Sequence, residues 1–168
     1  MTALVRSSSS MRALALAALC LIAQPVLAGS FAGRVVSVHD GDTLTVLAQG
    51  KQLKVRLADV DAPELRQSFG VRSRQSLSDL CFDKPVRVSV ITREPRGIAV
   101  SRVYCGGVDA SAEQIQRGMA WVYRRHASAD SPLYFLEDQA QRWRVGLWAD
   151  PAPAPPWAHR ANRRNYLR

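Results

Sequence analysis

The amino-acid sequence predicts an α+β fold, a small five-stranded antiparallel β-barrel with three α-helices packed against it. Five short segments alternate apolar with polar residues, as half-buried strands do. Three further segments have helical spacing or helix-start residues, and the order along the chain is strands, helix, strands, helix, helix. A barrel with helices against it satisfies this order, and 168 residues with 47% hydrophobic content suit one domain.

The predicted strands are short and are separated by turn residues. They are 33–38 (GRVVSV), 43–47 (TLTVL), 53–57 (LKVRL), 85–91 (PVRVSVI) and 99–105 (AVSRVYC). The tripeptide AQG supplies a turn between the second and third strands, and Gly106 with Gly107 ends the fifth. The pattern therefore predicts five strands, each with one side facing a core.

The predicted helices begin or end at residues that commonly cap helices. They are 67–80, from the spacing of its apolar residues, 111–118, from a capping box of Ser111 and Gln114, and 132–146, from Ser131 followed by Pro132. Glycines at the ends of the second and third segments favour termination there.

The first 28 residues have the organisation of a secretory signal peptide. Arg6 and Arg12 precede an apolar run at 13–23 that is too short to span a membrane comfortably. VLA follows at 26–28, with the small residue Ala28 as the last one removed. Removal of residues 1–28 is the expectation, and a retained N-terminal membrane anchor is the alternative.

The C-terminal segment is predicted to lie outside the folded domain, which occupies residues 29–149. The sequence DPAPAPP at 150–156 excludes a helix or a central strand there, because proline has no amide N–H and fixes φ. The residues after it are basic and are predicted to be loose. Residues 150–168 therefore form a Pro-rich, basic tail in this prediction.

The chain is strongly basic. It contains 23 Lys and Arg against 14 Asp and Glu, a net charge of +9. Such an excess favours polyanionic partners, which are nucleic acid, an anionic membrane surface or an acidic protein. An exported basic protein whose charge only keeps it soluble is the alternative.

Two cysteines remain after the predicted signal peptide. Export places Cys81 and Cys105 in an oxidising compartment, where such pairs usually form a disulfide. Cys81 follows the first predicted helix, and Cys105 ends a strand expected to lie antiparallel to the strand after Cys81, so the sulfurs should come within bridging distance. We predict this disulfide, with a reduced buried pair as the alternative.

Two neighbouring segments concentrate the acidic residues. VHDGDTLTVL at 38–47 and VRLADVDAPE at 55–64 hold Asp40, Asp42, Asp59, Asp61 and Glu64. If the strands before them pair, the two acidic turns converge, and their carboxylates repel unless a cation lies between them. Hard oxygen ligands select calcium or magnesium. An ordinary hairpin turn and a helix-capping turn are the alternative interpretation.

Arg56 lies on the strand before the second acidic segment. It alternates with Val55 and Leu57 and therefore points away from the core. A guanidinium beside a metal held by carboxylates is suited to a phosphate, and Glu64 could orient or deprotonate a water for attack on phosphorus.

The chain resembles the staphylococcal nuclease, or thermonuclease, family from about Gly33 to Trp148. Five motifs match in order, VHDGDTLTV, VRLADVDAPE, RVYCGGVD, RGMAWVY and LEDQAQRWRVGLW, and PPW at 155–157 is similar to the secreted bacterial branch. The resemblance implies an OB-type five-stranded barrel with three helices and a calcium-dependent endonuclease that acts on DNA and RNA.

The resemblance also implies roles for single residues. Asp42 and Asp61 would supply carboxylate ligands to Ca²⁺, Ala62 would offer its backbone carbonyl, and Asp40 would support these ligands. Of the catalytic residues, Arg56 would hold the scissile phosphate and Glu64 would act on the attacking water.

One departure concerns a second catalytic arginine, which the family carries just before the fifth strand. In an alignment without gaps back from RVYC, Ile98 occupies that position here. Either Arg96 or Arg93 reaches the phosphate from a rearranged loop, or the site lacks this donor. Such a loss costs about two to three powers of ten in rate.

We therefore expect a secreted or periplasmic, calcium-dependent nuclease of DNA and RNA that prefers single strands. Arg93, Tyr123 and Arg124 are the candidate nucleic-acid contacts, since bases can stack on an aromatic ring beside a cation. We expect a monomer without stable membrane association after signal removal. The alternatives are a catalytically impaired nucleic-acid-binding OB-fold module and a basic envelope protein without a nucleic-acid role.

Overall fold

The computed structural model of the chain describes residues 29–166. The predicted signal peptide, residues 1–28, lies outside the described residues. Among the helices of the described part, none combines the length and the apolar character needed to cross a membrane.

Eight strands lie in this part of the chain, and the five long ones confirm the five predicted strands. In chain order they are β1 (Ser30–Val38), β2 (Thr43–Ala48), β3 (Lys51–Leu57), β4 (Val60–Asp61), β5 (Pro85–Arg93), β6 (Ala99–Cys105), β7 (Val108–Asp109) and β8 (Trp121–Val122). The two-residue strands β4, β7 and β8 lie outside the predicted segments and were not expected from alternation, which needs a longer segment to be visible.

The long strands close into a barrel. The main sheet has the order β3-β2-β1-β5-β6-β7, and β3 also pairs with β6. Neighbouring strands are antiparallel except at this closure, where Arg56 pairs with Val100 in parallel register. The expected α+β fold with an OB-type five-stranded barrel is confirmed, with one parallel junction that the antiparallel prediction did not include.

Within residues 29–166, four α-helices and one 3₁₀ turn accompany the barrel. They are α1 (Gly70–Cys81), α2 (Ala110–Gln116), α3 (Leu133–Arg142), the 3₁₀ turn Gly146–Ala149 and α4 (Pro156–Tyr166). The first three correspond to the predicted helices, and the fourth lies in the segment predicted to be a loose tail.

Left-handed residues move two helix ends from their predicted positions. Phe69 has φ of 65°, so α1 begins at Gly70 and a turn precedes it, instead of a helix from residue 67. Arg144 has φ of 52°, so α3 ends at Arg142 and does not continue to Gly146. Sequence spacing does not reveal a left-handed residue that is not glycine.

The predicted capping box of α2 is wrong, because Asp109 caps this helix. Its Oδ1 accepts hydrogen bonds from the backbone N–H of Ser111 at 2.9 Å and of Ala112 at 3.1 Å. The Ser111 hydroxyl instead donates to the carbonyl of Ala58 at 2.9 Å, and Gln114 points into the protein. Aspartate is among the preferred N-cap residues, which explains its use here.

The expectation of a loose C-terminal tail is also wrong. Pro156 is the first residue of α4, a position where proline is favoured because its missing N–H is not needed. The backbone N–H groups of Ala158 and His159 both donate to the Pro155 carbonyl at 3.1 Å. The proline run that excluded a helix in the sequence analysis therefore ends at a helix start.

Aliphatic side chains fill the barrel and join it to α1 and α2. The fully buried members are Val35, Leu44, Val46, Val55, Leu57, Val88 and Val103 of the strands, with Leu77 of α1 and Ile115 of α2. Burial of one such side chain is worth about 1.5–3 kcal/mol. This shared core fixes both helices against the end of the barrel where β1 turns into β2.

The predicted disulfide is confirmed. The sulfurs of Cys81 and Cys105 are 2.00 Å apart, and both residues are buried. The bond joins the last residue of α1 to the last residue of β6 across a sequence separation of 24. It therefore ties the first helix directly to the barrel.

Replacement of both cysteines by alanine is expected to lower the free energy of unfolding by about 3–4 kcal/mol. A cross-link across a loop of this length restricts the unfolded chain by about that amount. Guanidinium chloride denaturation, monitored by circular dichroism with and without dithiothreitol, measures the effect. Dithiothreitol should not move the midpoint of the double variant, and equal midpoints for the oxidised and reduced wild-type protein would contradict the prediction.

Candidate active site

The first acidic segment forms a tight turn between β1 and β2. The backbone N–H of His39 donates to the Thr43 carbonyl at 2.8 Å, and the N–H of Asp42 donates to Asp40 Oδ1 at 3.0 Å. A Cβ atom on Gly41 would lie 1.7 Å from the Oγ of Ser73, so this residue must be glycine for the turn to pack against α1. The glycine between the two aspartates therefore lets the backbone of the acidic turn pack closely against α1.

A buried glutamine of α2 binds the backbone of this turn. Gln114 of α2 is 0% exposed, and its Nε2 donates to the Gly41 carbonyl at 2.7 Å and to the Ser73 carbonyl at 3.1 Å. The Ser73 hydroxyl in turn donates to the Met119 carbonyl at 2.6 Å. One amide group thus joins the acidic turn, α1 and α2.

Asp42 joins the first acidic segment to the second. Its Oδ1 accepts from the Thr43 hydroxyl at 2.7 Å, and its Oδ2 accepts from the backbone N–H of Ala62 at 2.9 Å. The backbone N–H of Leu57 also donates to the Asp42 carbonyl at 2.8 Å. The two acidic segments converge, as the sequence analysis expected.

Burial raises the pKa of two carboxyl groups in the acidic segments, those of Asp42 and Asp61. Burial, reinforced by the nearby charge of Asp40, raises the pKa of Asp42 to about 7, although hydrogen bonds from Ala62 and Thr43 oppose the shift. Burial also raises the pKa of Asp61, against the opposing effect of Arg160. Such carboxylates stay ionised most easily when a positive charge lies beside them.

The two segments border a cleft of about 330 Å³. Its ionisable lining residues are Asp40, Asp42, Asp59, Asp61, Glu64, Glu94, Arg56, Arg160, Tyr123 and His126. The cleft thus has six carboxylates and two guanidiniums, although the chain as a whole carries a net charge of +9. A divalent cation fits this local excess of negative charge, and the two guanidiniums fit an anionic group.

The structure places most of the sequence-predicted site residues in this cleft. They are Asp40, Asp42, Arg56, Asp61, Ala62, Glu64 and Tyr123. Register explains part of this convergence, because Arg56 pairs with Thr43 across β2 and β3 and thus lies next to the first acidic turn.

Three predicted residues lie outside the cleft lining. Arg96 is exposed at the tip of the β5–β6 hairpin, with φ of 78°. Arg93 is exposed near the same hairpin and contacts the Gly97 carbonyl. Arg124 pairs with Glu137, N–O distance 3.0 Å, and lies over the ring of Tyr134. Ile98 is half-buried in that hairpin.

Arg56 has an acidic partner that the sequence analysis missed. Its Nη1 donates to Glu94 Oε1 at 2.9 Å, and its Nε lies 3.7 Å from Asp42 Oδ1. The Nε is buried and has no hydrogen-bond partner among the described residues. A ligand oxygen in the cleft could accept from this donor. Nothing in the local sequence around Glu94 distinguishes it from a surface residue.

The second guanidinium of the cleft comes from α4. Arg160 Nη2 donates to Asp61 Oδ2 at 2.5 Å, and its Nη1 donates to Asp61 Oδ1 at 3.1 Å and to Glu64 Oε1 at 2.8 Å. The hydrogen bond to Asp61 is the main reason that the pKa of Arg160 is raised. The sequence analysis assigned this residue to a loose basic tail, and no local motif marks it.

The carboxylates of the cleft fit a hard divalent cation by their chemistry. Asp42 and Asp61 offer oxygen ligands, and Asp40 adds charge beside them. Within residues 29–166, no three acidic, histidine or cysteine side chains surround one point as they stand. Arg160 occupies both oxygens of Asp61, so a bound cation would have to share or replace this contact.

Comparisons with known proteins agree on one family. A family model described as "Staphylococcal nuclease homologue" matches residues 54–150. The chain is 39% identical to "Micrococcal nuclease" of Shigella flexneri, with 94% of this chain and 95% of that protein covered. It is 38% identical to "Protein ParB" of Escherichia coli, over 95% and 96% of the two chains. An "Uncharacterized endonuclease" of Haemophilus influenzae is 41% identical, over 73% and 69%.

The change Gln114→Glu is expected to lower the free energy of unfolding by about 3 kcal/mol or more at pH 7. It removes the amide that donates to two carbonyls and places a carboxylate against them in a buried position. Urea denaturation measures the loss. Gln116→Glu on the exposed face of the same helix is the matched control, and equal stabilities of the two variants would show that Gln114 does not hold the turn.

Proposed function

Because the chain belongs to the staphylococcal nuclease family, we propose that it is a calcium-dependent enzyme that hydrolyses phosphodiester bonds in both DNA and RNA. A nuclease function follows from the family itself. The observation that carries the finer proposal is the cleft, where six carboxylates lie beside two guanidiniums in a basic chain. Carboxylates hold a divalent cation, and guanidiniums hold a phosphate.

The proposed metal ligands are the Asp42 and Asp61 carboxylates and the Ala62 backbone carbonyl, with Asp40 in support. A bound cation would supply Lewis-acid charge to the phosphoryl oxygens. The Ala62 N–H already donates to Asp42 Oδ2 at 2.9 Å, which fixes this backbone beside the first acidic turn. The ligand groups come from two different turns, so their separation depends on that hydrogen bond.

Arg56 and Glu64 supply the remaining chemistry. Arg56 binds the scissile phosphate with donors that now face Glu94 and Asp42. Glu64 lies on the same cleft, is half-buried, and takes a proton from the water that attacks phosphorus. The P–O bond to the leaving group then breaks, and the leaving oxygen is protonated from solvent.

Single-stranded substrate suits the surroundings of the cleft. The ring of Tyr123 lines the cleft, and its centroid lies 5.9 Å from that of Trp157. Splayed bases can stack on such rings, whereas bases in a duplex cannot reach them. The basic surface of the remaining chain attracts the phosphate backbone, so we expect binding to weaken as salt increases.

The proposed setting is outside the cytoplasm, in the periplasm or beyond the cell, as a monomer without stable membrane association. The signal-like residues 1–28 motivate this proposal. The disulfide supports it, because disulfides persist in oxidising compartments.

A catalytically impaired nucleic-acid-binding module is the second candidate. The exposed positions of Arg93 and Arg96 favour it, since neither lines the cleft. Ile98 in the same hairpin cannot donate to a phosphate. This candidate keeps the proposed binding to nucleic acid and loses the hydrolysis.

The change Glu64→Gln is expected to reduce the rate of single-stranded DNA hydrolysis in calcium by about 10²–10⁴-fold, because it removes the group that accepts the proton. Retention of labelled DNA on filters should change little. Asp138→Asn, on the exposed surface of α3, is the control and should keep wild-type activity. Wild-type hydrolysis no faster than that of Glu64→Gln would favour the binding module.

The change Asp42→Asn is expected to weaken calcium binding at least tenfold, because it removes a charged oxygen ligand. Isothermal titration calorimetry measures the affinity, and circular dichroism checks that the fold is kept. Asp59→Asn is the matched control, since Asp59 lines the same cleft without being a proposed ligand, and asparagine tolerates its φ of 64°. An equal loss of calcium affinity in both variants would show that the loss comes from the change in net charge of the cleft. Asp42 would then not be a calcium ligand.

A further inference from the structure

We propose that Arg160 of α4 is a catalytic residue that contacts the scissile phosphate together with Arg56. The inference rests on the proposed nuclease function. Its starting observation is that the cleft contains two guanidiniums from distant parts of the chain, one on β3 and one on α4. Negative charge builds up on the phosphoryl oxygens in the transition state, and preorganised cationic donors stabilise it.

The position of Arg160 is built into the fold. Pro156 is buried at the start of α4, and the Trp157 ring lies against Tyr123. The side-chain amide of Gln67 donates to the Ala154 carbonyl just before this helix. These contacts attach the start of α4 to the folded domain. Arg160, one turn into the helix, therefore enters the cleft on a supported element rather than on a free tail.

The contacts of Arg160 show which ligands it can take. Three hydrogen bonds of 2.5–3.1 Å join it to the carboxylates of Asp61 and Glu64, and its side chain keeps 41% exposure. A guanidinium that binds both oxygens of a carboxylate can bind two oxygens of a phosphate in the same way. Once Asp61 serves as a metal ligand, these donors are available to a phosphate in the cleft.

Arg160 takes no proton in the reaction. The bond from water oxygen to phosphorus forms, the P–O ester bond breaks, the water proton goes to Glu64, and the leaving oxygen takes a proton from solvent. The contribution of Arg160 is charge on the phosphoryl oxygens. The competing interpretation is a counter-ion that only neutralises Asp61 and Glu64, and it predicts that removal of the guanidinium leaves catalysis unchanged or improves it.

The test compares Arg160→Ala and Arg160→Lys with Arg163→Ala. Arg163 lies on the exposed side of the same helix, so this control removes one positive charge outside the cleft. Three quantities are measured in calcium: kcat and KM on single-stranded DNA, and the Kd of thymidine 3′,5′-bisphosphate by calorimetry. The affinity for calcium without nucleotide is measured by the same calorimetry. The bisphosphate titration does not depend on turnover.

For Arg160→Ala we expect kcat to fall about 10²-fold and bisphosphate binding to weaken at least tenfold. Calcium binding without nucleotide should be unchanged or tighter, because a competitor for Asp61 is gone. Arg160→Lys should keep part of both functions, since it retains a charge without the fork of donors. Arg163→Ala should stay within twofold of wild type.

Unchanged or higher kcat in Arg160→Ala, or unchanged bisphosphate affinity, would overturn the proposal in favour of a counter-ion. Weaker calcium binding would also overturn it, because Arg160 would then act by shaping the metal site. If Arg160→Ala does not fold, Arg160→Lys is compared with Arg163→Ala by the same measurements. A wild-type protein that binds bisphosphate but does not hydrolyse DNA would refute the proposed function, and the titration would still decide whether Arg160 holds a phosphate.

Discussion

The buried carboxylate of Asp42 is the contact on which the rest of the cleft depends. Its oxygens accept from the Thr43 hydroxyl and the Ala62 backbone N–H, so one side chain joins the turn after β1 to the segment after β3. Burial and the neighbouring Asp40 make its negative charge costly. The fold tolerates this cost by surrounding the carboxylate with donors, and a cation in the cleft would relieve the remainder.

The cleft has more carboxylates than guanidiniums, whereas the chain as a whole has a net positive charge. Arg56 is balanced by Glu94 and Asp42, while Arg160 is balanced by Asp61 and Glu64, so each guanidinium already lies between two carboxylates. These pairs offset part of the charge within the cleft.

Alternation and helix-start residues predicted the strands of the barrel and the first three helices, because these features depend on neighbours within a few residues. The disulfide and most of the cleft were predicted from recognisable residues at the ends of those elements, the two cysteines and the two acidic motifs. The remaining features depend on distant contacts. The sequence suggests Gln114 as part of a capping box, but in the structure Asp109 caps α2. Glu94 can bind Arg56 because β3 pairs with β6. Arg160 reaches Asp61 across 99 residues of sequence, and a basic helix after a proline run contains no local sign of it.

Along the sequence, the proline-rich stretch between the 3₁₀ turn and α4 separates the carboxylates of the cleft from Arg160. It has no regular secondary structure, and Ala152 and Ala154 within it are exposed. A protease that cut there would leave the barrel and its disulfide whole, while the helix bearing the second guanidinium would be attached only by its side-chain contacts. Completion of the cleft thus depends on a helix that follows the barrel in the chain, and during synthesis the carboxylates would exist before their α4 partner has emerged.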